Sequence, residues 1–323
     1  MIRRRKFMSL LAGAAAWPLA ARAQEAGRIY RLGFLIPSGR ETLGVVDFFD
    51  ELRLNGFIEG QNLTVIPKGF DVRNDQLAER AAALVKAAPD AIVGGPELPL
   101  RALQALTRTI PLISMTEDMV AAGLVASLAR PGGNTTGISL LSHELDGKRQ
   151  DILMEAVPGA RRMAALFDSN VTPKGHIQTL QDAARARGVE LSAYGVAGID
   201  DIAPAIDTGQ AEGAKALNFL ASGLFFPVSR VVIERAAAAR LPGIYHWPEA
   251  ADAGGVLAYG PRLSQVWRQR ARLVIKILRG TSPADIPVEQ PTNFELAINL
   301  QAARAIGHEV PVALVLRADR VIE

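Results

Sequence analysis

The sequence contains no cysteine. That excludes disulfides, thiolate metal sites and a lipid-attachment cysteine. Aromatic residues are scarce, at 6%, so the position of each one is informative. The histidines at 143, 176, 246 and 308 are scattered, and none falls in a metal spacing such as H-E-x-x-H. No G-x-S-x-G elbow marks a serine nucleophile, and no G-x-G-x-x-G marks a dinucleotide site. After the first 23 residues there is no apolar run near the roughly 20 residues that cross a bilayer. These absences leave no signature of a metal, a cofactor or a catalytic residue.

The excess of positive charge is also thin. Lys and Arg total 36 against 33 Asp and Glu, and the sequence pI is 9.3. Arg3, Arg4, Arg5, Lys6 and Arg22 fall in the first 23 residues, which hold no acid. Without those five, 31 basic residues face 33 acidic ones. The body of the chain therefore has no electrostatic case for binding nucleic acid.

That N-terminal segment reads as an export signal. MIRRRK is basic, FMSLLAGAAAWPLA is a short apolar run, and Ala21-Arg22-Ala23 is an A-x-A signal for cleavage after Ala23. The alternative, a membrane anchor, is disfavoured by the length of the run and by Pro18. Arg4-Arg5-Lys6-Phe7 resembles a twin-arginine signal, although Sec leaders also carry adjacent arginines. The expectation is an exported protein, free in the periplasm and not inserted in the membrane.

The remaining length suits two domains. Apolar β-like runs alternate with helical patterns: strand Arg31–Ile36, helix Leu43–Asn55, strand Asn62–Pro67, helix Asp75–Ala88, strand Asp90–Gly95, helix Leu98–Arg108 and strand Thr109–Met115. A helix at Val120–Arg130 and a strand at Thr135–Leu141 follow. A second array begins with helix Glu144–Ala156 and strand Arg162–Phe167. It continues through strands Glu190–Val196, Lys215–Ala221, Gly243–Trp247 and Gly255–Gly260 to a long amphipathic helix, Ser264–Leu278. A strand at Glu295–Asn299 and a short helix to Ile306 precede a tail. Short apolar runs between helices are the mark of buried parallel strands. Two such arrays predict two Rossmann-like doubly wound α/β lobes, with ligand beyond the carboxyl ends of the strands, in the cleft between them.

GGNTTGIS, at Gly132–Ser139, matches the phosphate loop G-x-x-x-x-G-K-[ST] except that Ile138 replaces the lysine. A phosphate loop runs from strand to helix, because the helix N-terminus supplies the amides. Here the expected order is helix, loop, strand, so the segment reads as a helix stop.

Other candidates sit at strand ends. Glu117 and Asp118 are adjacent carboxylates, which an extended chain points apart. Asp168, Ser169 and Asn170 suit either a site or an ordinary turn. Phe225, Phe226, Tyr245, His246, Trp247 and Tyr259 suit either stacking on a flat ligand or core packing. Arg40 and Lys174 follow strand ends and suit either a ligand carboxylate or solvent.

Several phrases together carry a resemblance: ELRLNGFIEGQNL, GLVASLARPGGNTTGIS, ELDGKRQDILMEAVPG, AARARGVEL, RLPGIY, AGGVLAYGP and PVEQPTNFELAINLQAARAIGHEVP. In order and spacing they resemble the ABC-transporter substrate-binding proteins of the tryptophan/tyrosine-type uptake family, from about Ile29 to Glu323. The resemblance implies a periplasmic binding protein of type I with three interlobe crossings, near Ser139–His143, Tyr259–Arg262 and Pro287–Asn293. It implies lobe 1 from 28–140 plus about 262–288, and lobe 2 from 141–261 plus about 292–323. It further implies a small-molecule ligand, hinge closure, no catalysis, no cofactor, action as a monomer, and a membrane permease with its ATPase as partner. Carried over by position, the ligand set is Ser38, Gly39, Gly95, Glu97, Asp118, Asp168, Asn170, Ser222, Phe225, Tyr245 and Trp247. Gly95-Pro96-Glu97-Leu98, Asp168, Ser222-Gly223 and His246-Trp247-Pro248 depart from the family pattern, which leaves an amino acid, an aromatic carboxylate or another small organic anion open. Alternatives are a periplasmic sensor module for a membrane receptor and, less favoured, an α/β enzyme.

Overall fold

The computed structural model describes residues 27–225 and 229–323; the expected export signal and Phe226 lie outside the described residues. The first sheet contains β1 (Tyr30–Leu35), β2 (Leu63–Val65), β3 (Ala91–Gly94), β4 (Leu112–Thr116) and β5 (Thr135–Ser139). They are parallel, in the order β2-β1-β3-β4-β5. This is a doubly wound order, whose strand sequence reverses between β1 and β3. Helices α1 (Leu43–Leu54), α2 (Leu77–Lys86) and α3 (Glu97–Leu106) connect the strands. All of β3 and β5 is buried, as expected for strands covered on both faces.

The second sheet has seven strands in the order β12-β11-β10-β9-β8-β6-β7. They are β6 (Arg162–Asp168), β7 (Glu190–Val196), β8 (Leu217–Phe219), β9 (Gly243–Tyr245), β10 (Leu257–Gly260), β11 (Glu295–Asn299) and β12 (Arg320–Ile322). Among the described residues, only the β10–β11 pairing is antiparallel. The helices are α4 (Ser142–Ala156), α5 (Lys174–Ala186), α6 (Ile202–Ala211), α7 (Ser229–Ala238), α8 (Glu249–Asp252), α9 (Leu263–Leu278), α10 (Leu300–Ala305) and α11 (Val312–Val315). Among the described residues no helix is long and apolar enough to cross a membrane.

The chain passes between the sheets three times. It leaves the first sheet after β5 and enters the second through α4. After β10 it returns, and α9 packs Val266, Trp267, Ala271 and Val274 into the core that holds Phe34, Phe48 and Ile113. Glu289 then bonds alongside β5, its N–H to Gly137 and its carbonyl to Ser139, both at 2.9 Å. From there the chain crosses to β11. Gly137 is required where it stands: a Cβ would lie 2.0 Å from the Ser114 carbonyl oxygen.

Two expectations are corrected. Val120–Arg130 is not a helix but a run of turns. Gly123 takes φ 64°, and the Leu124 and Val125 N–H groups both donate back to the Met119 carbonyl. GGNTTGIS nevertheless leads into a strand, so it still lacks the helix of a phosphate loop. The tail beyond Val310 is structured: it forms α11 and then β12, which pairs with β11. In addition, β8 and β9 are shorter than expected, and β9 ends at Tyr245.

Candidate functional site

The carboxyl ends of the parallel strands in the two sheets meet. Pro96 follows β3 and Gly223 follows β8; a Cβ on Gly223 would lie 2.9 Å from Pro96 Cγ. The turns around this contact define the candidate site.

On the first lobe, Ser38 is buried after β1, and its carbonyl accepts the Asp71 N–H at 3.2 Å. A side chain at Gly39 would come within 3.0 Å of Asp71 Oδ1. The Gly95 N–H donates to Leu35 at 2.7 Å, and Pro99 and Leu35 leave no room for a Cβ. Arg270 of α9 is buried beneath these loops, donating to the carbonyls of Gly94 and Ile113. Burial pushes its guanidinium down to about 9, since a charge without a carboxylate partner is costly in a dry core. Glu97 pairs with Arg101 one turn along α3, at 2.8 Å. Asp118 Oδ1 accepts the Val120 and Ala121 N–H groups, each at 2.9 Å, so this carboxylate caps a turn.

On the second lobe, three of the expected residues form one unit. Ser222 Oγ donates to Asp168 Oδ2 at 2.7 Å. Asp168 Oδ1 accepts the backbone N–H of Asn170 at 2.9 Å and its Nδ2 at 3.0 Å. β6 ends at Asp168 and β8 ends at Phe219, three residues before Ser222, and adjacent pairing of these strands brings the two together.

The structure does not bring the expected aromatics to this place. Phe225 is buried edge-on against Phe219, with ring centroids 6.1 Å apart. Tyr245 stacks on Phe219 at 4.8 Å. Its hydroxyl points back to Gly243, at the start of β9, toward a cavity of about 290 Å³ lined by Gly255, Asn299 and Ala302. That is the end of the sheet opposite the strand-end turns, and burial pushes the phenol up. Trp247 packs into the core of the first sheet with Leu263 and Trp267. Of the two surface cations, Arg40 lies 4.3 Å from the Phe49 ring and pairs with Glu59, while Lys174 is exposed.

Sequence reasoning missed a buried polar cluster beside Ser222. Asp146, on α4, has no exposed surface. Its Oδ1 accepts from Arg149 at 2.6 Å and from the Ala221 N–H at 3.2 Å. Its Oδ2 lies 2.9 Å from His176 Nε2 and 3.6 Å from His143 Nδ1. Burial opposes ionisation of Asp146, but Arg149, His143 and His176 outweigh it and hold the carboxyl well below its usual range. For His143, burial is outweighed by Asp146 and by Glu117, and its pKa rises. Arg149 also donates to the Tyr259 carbonyl at 3.1 Å. His246 lies in the same field and is pushed down to about 3, first by burial and then by Arg149. The histidines that look scattered in sequence thus include two that share one carboxylate. Only the His143–Asp146 spacing of one helical turn hinted at this.

Two doubly wound lobes joined by three crossings, with polar turns facing each other across the strand ends, define the type I fold of periplasmic binding proteins. A family model described as ABC transporter substrate binding protein matches residues 44–322, and the chain belongs to that family. It is similar to a tyrosine-binding protein of Clostridioides difficile (strain R20291), 25% identical over 266 residues, covering 80% of this chain and 75% of the relative. Among solved structures, it resembles an ABC domain from Streptococcus pneumonia in complex with L-Trp, at 20% identity and TM-score 0.79, covering 91% of this chain and all of that one. It also resembles the ligand-free, open structure of a substrate binding protein with adhesive properties from Clostridium difficile, at 21% identity and TM-score 0.62, covering 91% of this chain and 99% of that one.

Proposed function

We propose that this chain is the periplasmic solute-binding component of an importer, and that it takes one small organic solute between its lobes. The observation that carries the reading is the apposition of Pro96 and Gly223, which sets the Ser38–Gly39 and Gly95 turns against the Asp168–Asn170–Ser222 unit. Among the described residues, Asp168 is a buried carboxylate hydrogen-bonded only through neutral partners, which suits a solute carrying an ammonium group. The tyrosine-binding relative and the L-Trp complex make amino acids the first class to test. Aromatic acids and related small organic anions come next.

Closure is a hinge motion of two bodies, 28–140 with about 262–288 and 141–261 with about 292–323, about the three crossings. We read the present arrangement, in which Pro96 and Gly223 touch, as the closed one. The closed form docks on a permease driven by a separate ATPase, and the protein itself catalyses nothing.

Thermal unfolding in the presence of amino acids, aromatic acids and small organic anions tests this. A ligand that binds only the folded state stabilises it by about 2.7 kcal/mol at one hundred times Kd. The expected result is one chemical class that raises Tm in proportion to the logarithm of its concentration. If no solute shifts unfolding while one of them is turned over, the chain is an enzyme and the proposal fails.

A further inference from the structure

Residues 143 and 146 share one face of the first turns of α4, and residue 176 stands in the first turn of α5. The two helix starts lie at the strand-end side of the second sheet, since α5 follows the end of β6 and Asp146 reaches Ala221, two residues beyond β8. We infer that His143 Nδ1, Asp146 Oδ2 and His176 Nε2 form a binding site for a late first-row divalent cation, with Zn²⁺ the best fit.

The first support is spacing. Zn–N and Zn–O bonds of about 2.0–2.2 Å in a tetrahedron place neighbouring ligand atoms about 3.3 Å apart. The observed separations from Asp146 Oδ2 are 2.9 Å to His176 and 3.6 Å to His143, and all three atoms lie within 4.8 Å of one another. Small rotations of two imidazoles reach the tetrahedral spacing. The second support is the donor set. Two imidazoles and one carboxylate favour zinc over Mg²⁺ or Ca²⁺, which take oxygen ligands. Three protein ligands leave one position open for water or another small ligand.

The surrounding groups have the arrangement that metal sites use to orient a ligand. Arg149 and the Ala221 N–H occupy Oδ1 of Asp146, so Oδ2 is left for the histidines. Asp146 is fully buried, while the His143 and His176 side chains keep 22% and 19% of their surface exposed. That exposure provides a way in for an ion. The charge of Arg149 weakens the hold on a cation, and the Glu117 carboxylate, on the other lobe, adds an opposing negative charge that acts on His143. The balance describes an exchangeable site rather than one that the fold depends on. It is independent of which solute the cleft accepts.

The test is calorimetric titration of the untagged, chelator-stripped chain with Zn²⁺ alone. One ion per chain is expected. His143→Gln and His176→Gln should each weaken binding on the order of a hundredfold, since even outer-shell changes cost 10–100-fold. His308→Gln should leave binding unchanged, because His308 bonds the Ala156 carbonyl instead. Equal Zn²⁺ affinity and stoichiometry in the wild type and in the doubly substituted protein, or no binding to the wild type, overturns the site. The visible spectrum of the wild type loaded with Co²⁺ decides the matter without any variant. A tetrahedral spectrum supports the site, and the spectrum of hydrated Co²⁺ refutes it.

Discussion

His246 is a buried imidazole whose Nδ1 has no hydrogen-bond partner among the described residues, and burial favours its neutral form. Its folded-state pKa is pushed down to about 3, whereas an unfolded histidine titrates near 6.5. Between those values the unfolded chain binds a proton that the folded chain refuses, so stability rises with pH across that window and falls as acid is added. Each unit below about 6.5 costs about 1.4 kcal/mol until pH approaches 3. His246→Asn should remove this component. The check is the difference between wild-type and variant urea unfolding free energies, measured at several pH values. A difference that does not change between pH 7 and 5 would show that His246 is not held neutral. The same residue illustrates what the sequence leaves out. His246 and Trp247 stand side by side after β9, yet the first faces the Asp146–Arg149 field and the second enters the core of the other lobe. With both faces of the sheet covered, alternation along a strand does not tell which face opens on a cleft.

Elements were legible where composition and punctuation agreed. Strands β1 to β7 are short apolar runs bounded by Gly, Pro, Asp or Asn, and each falls within two or three residues of its expected place. Val120–Arg130 was not legible, because its alanines and leucines favour a helix while its neighbours do not. Arg101 and Gln104 of α3 take the Ala122 and Leu124 carbonyls that a helix would use, so tertiary contacts override propensity. The Asp146 cluster was hidden for a related reason: its residues sit on two helices whose starts only the β6 crossover brings together. Helix α9 is the element that ties the third segment of chain to the first sheet, and its contact with α1 depends on a missing side chain. A Cβ on Gly44 would stand 2.2 Å from the Trp267 ring. Gly44→Ala gains helix propensity in α1, worth about 1 kcal/mol, but must push two packed helices apart, which costs about 1–3 kcal/mol. The clash should win. A lower urea midpoint with an unchanged m-value is expected, and a variant more stable than wild type would show that the interface is soft.

At the scale of the whole molecule, the lobes can change their separation only if the contact between them is weaker than the contacts within them. Each lobe has its own apolar core, with Trp247 of the second lobe entering that of the first, whereas the meeting of Pro96 and Gly223 is a touch between two turns. A side chain at 223 therefore clashes in the present arrangement, the closed one on the reading proposed above, and not within either lobe. Gly223→Val should be relieved by opening, not by unfolding. If the clash costs the closed form about 2 kcal/mol, the closed population falls roughly 30-fold relative to the open one, because about 1.4 kcal/mol is a factor of ten. A solute that requires the closed form then binds weaker by up to a similar factor, the full loss applying where the open form already predominates. Small-angle scattering should show the variant at a larger radius of gyration, which solute reduces only at a correspondingly higher concentration than in the wild type. Its unfolding free energy without solute should stay within about 0.5 kcal/mol of wild type, as for a surface change. Loss of stability with unchanged dimensions would instead mean that the two turns form part of a single rigid core, and hinge closure about the three crossings would have to be abandoned.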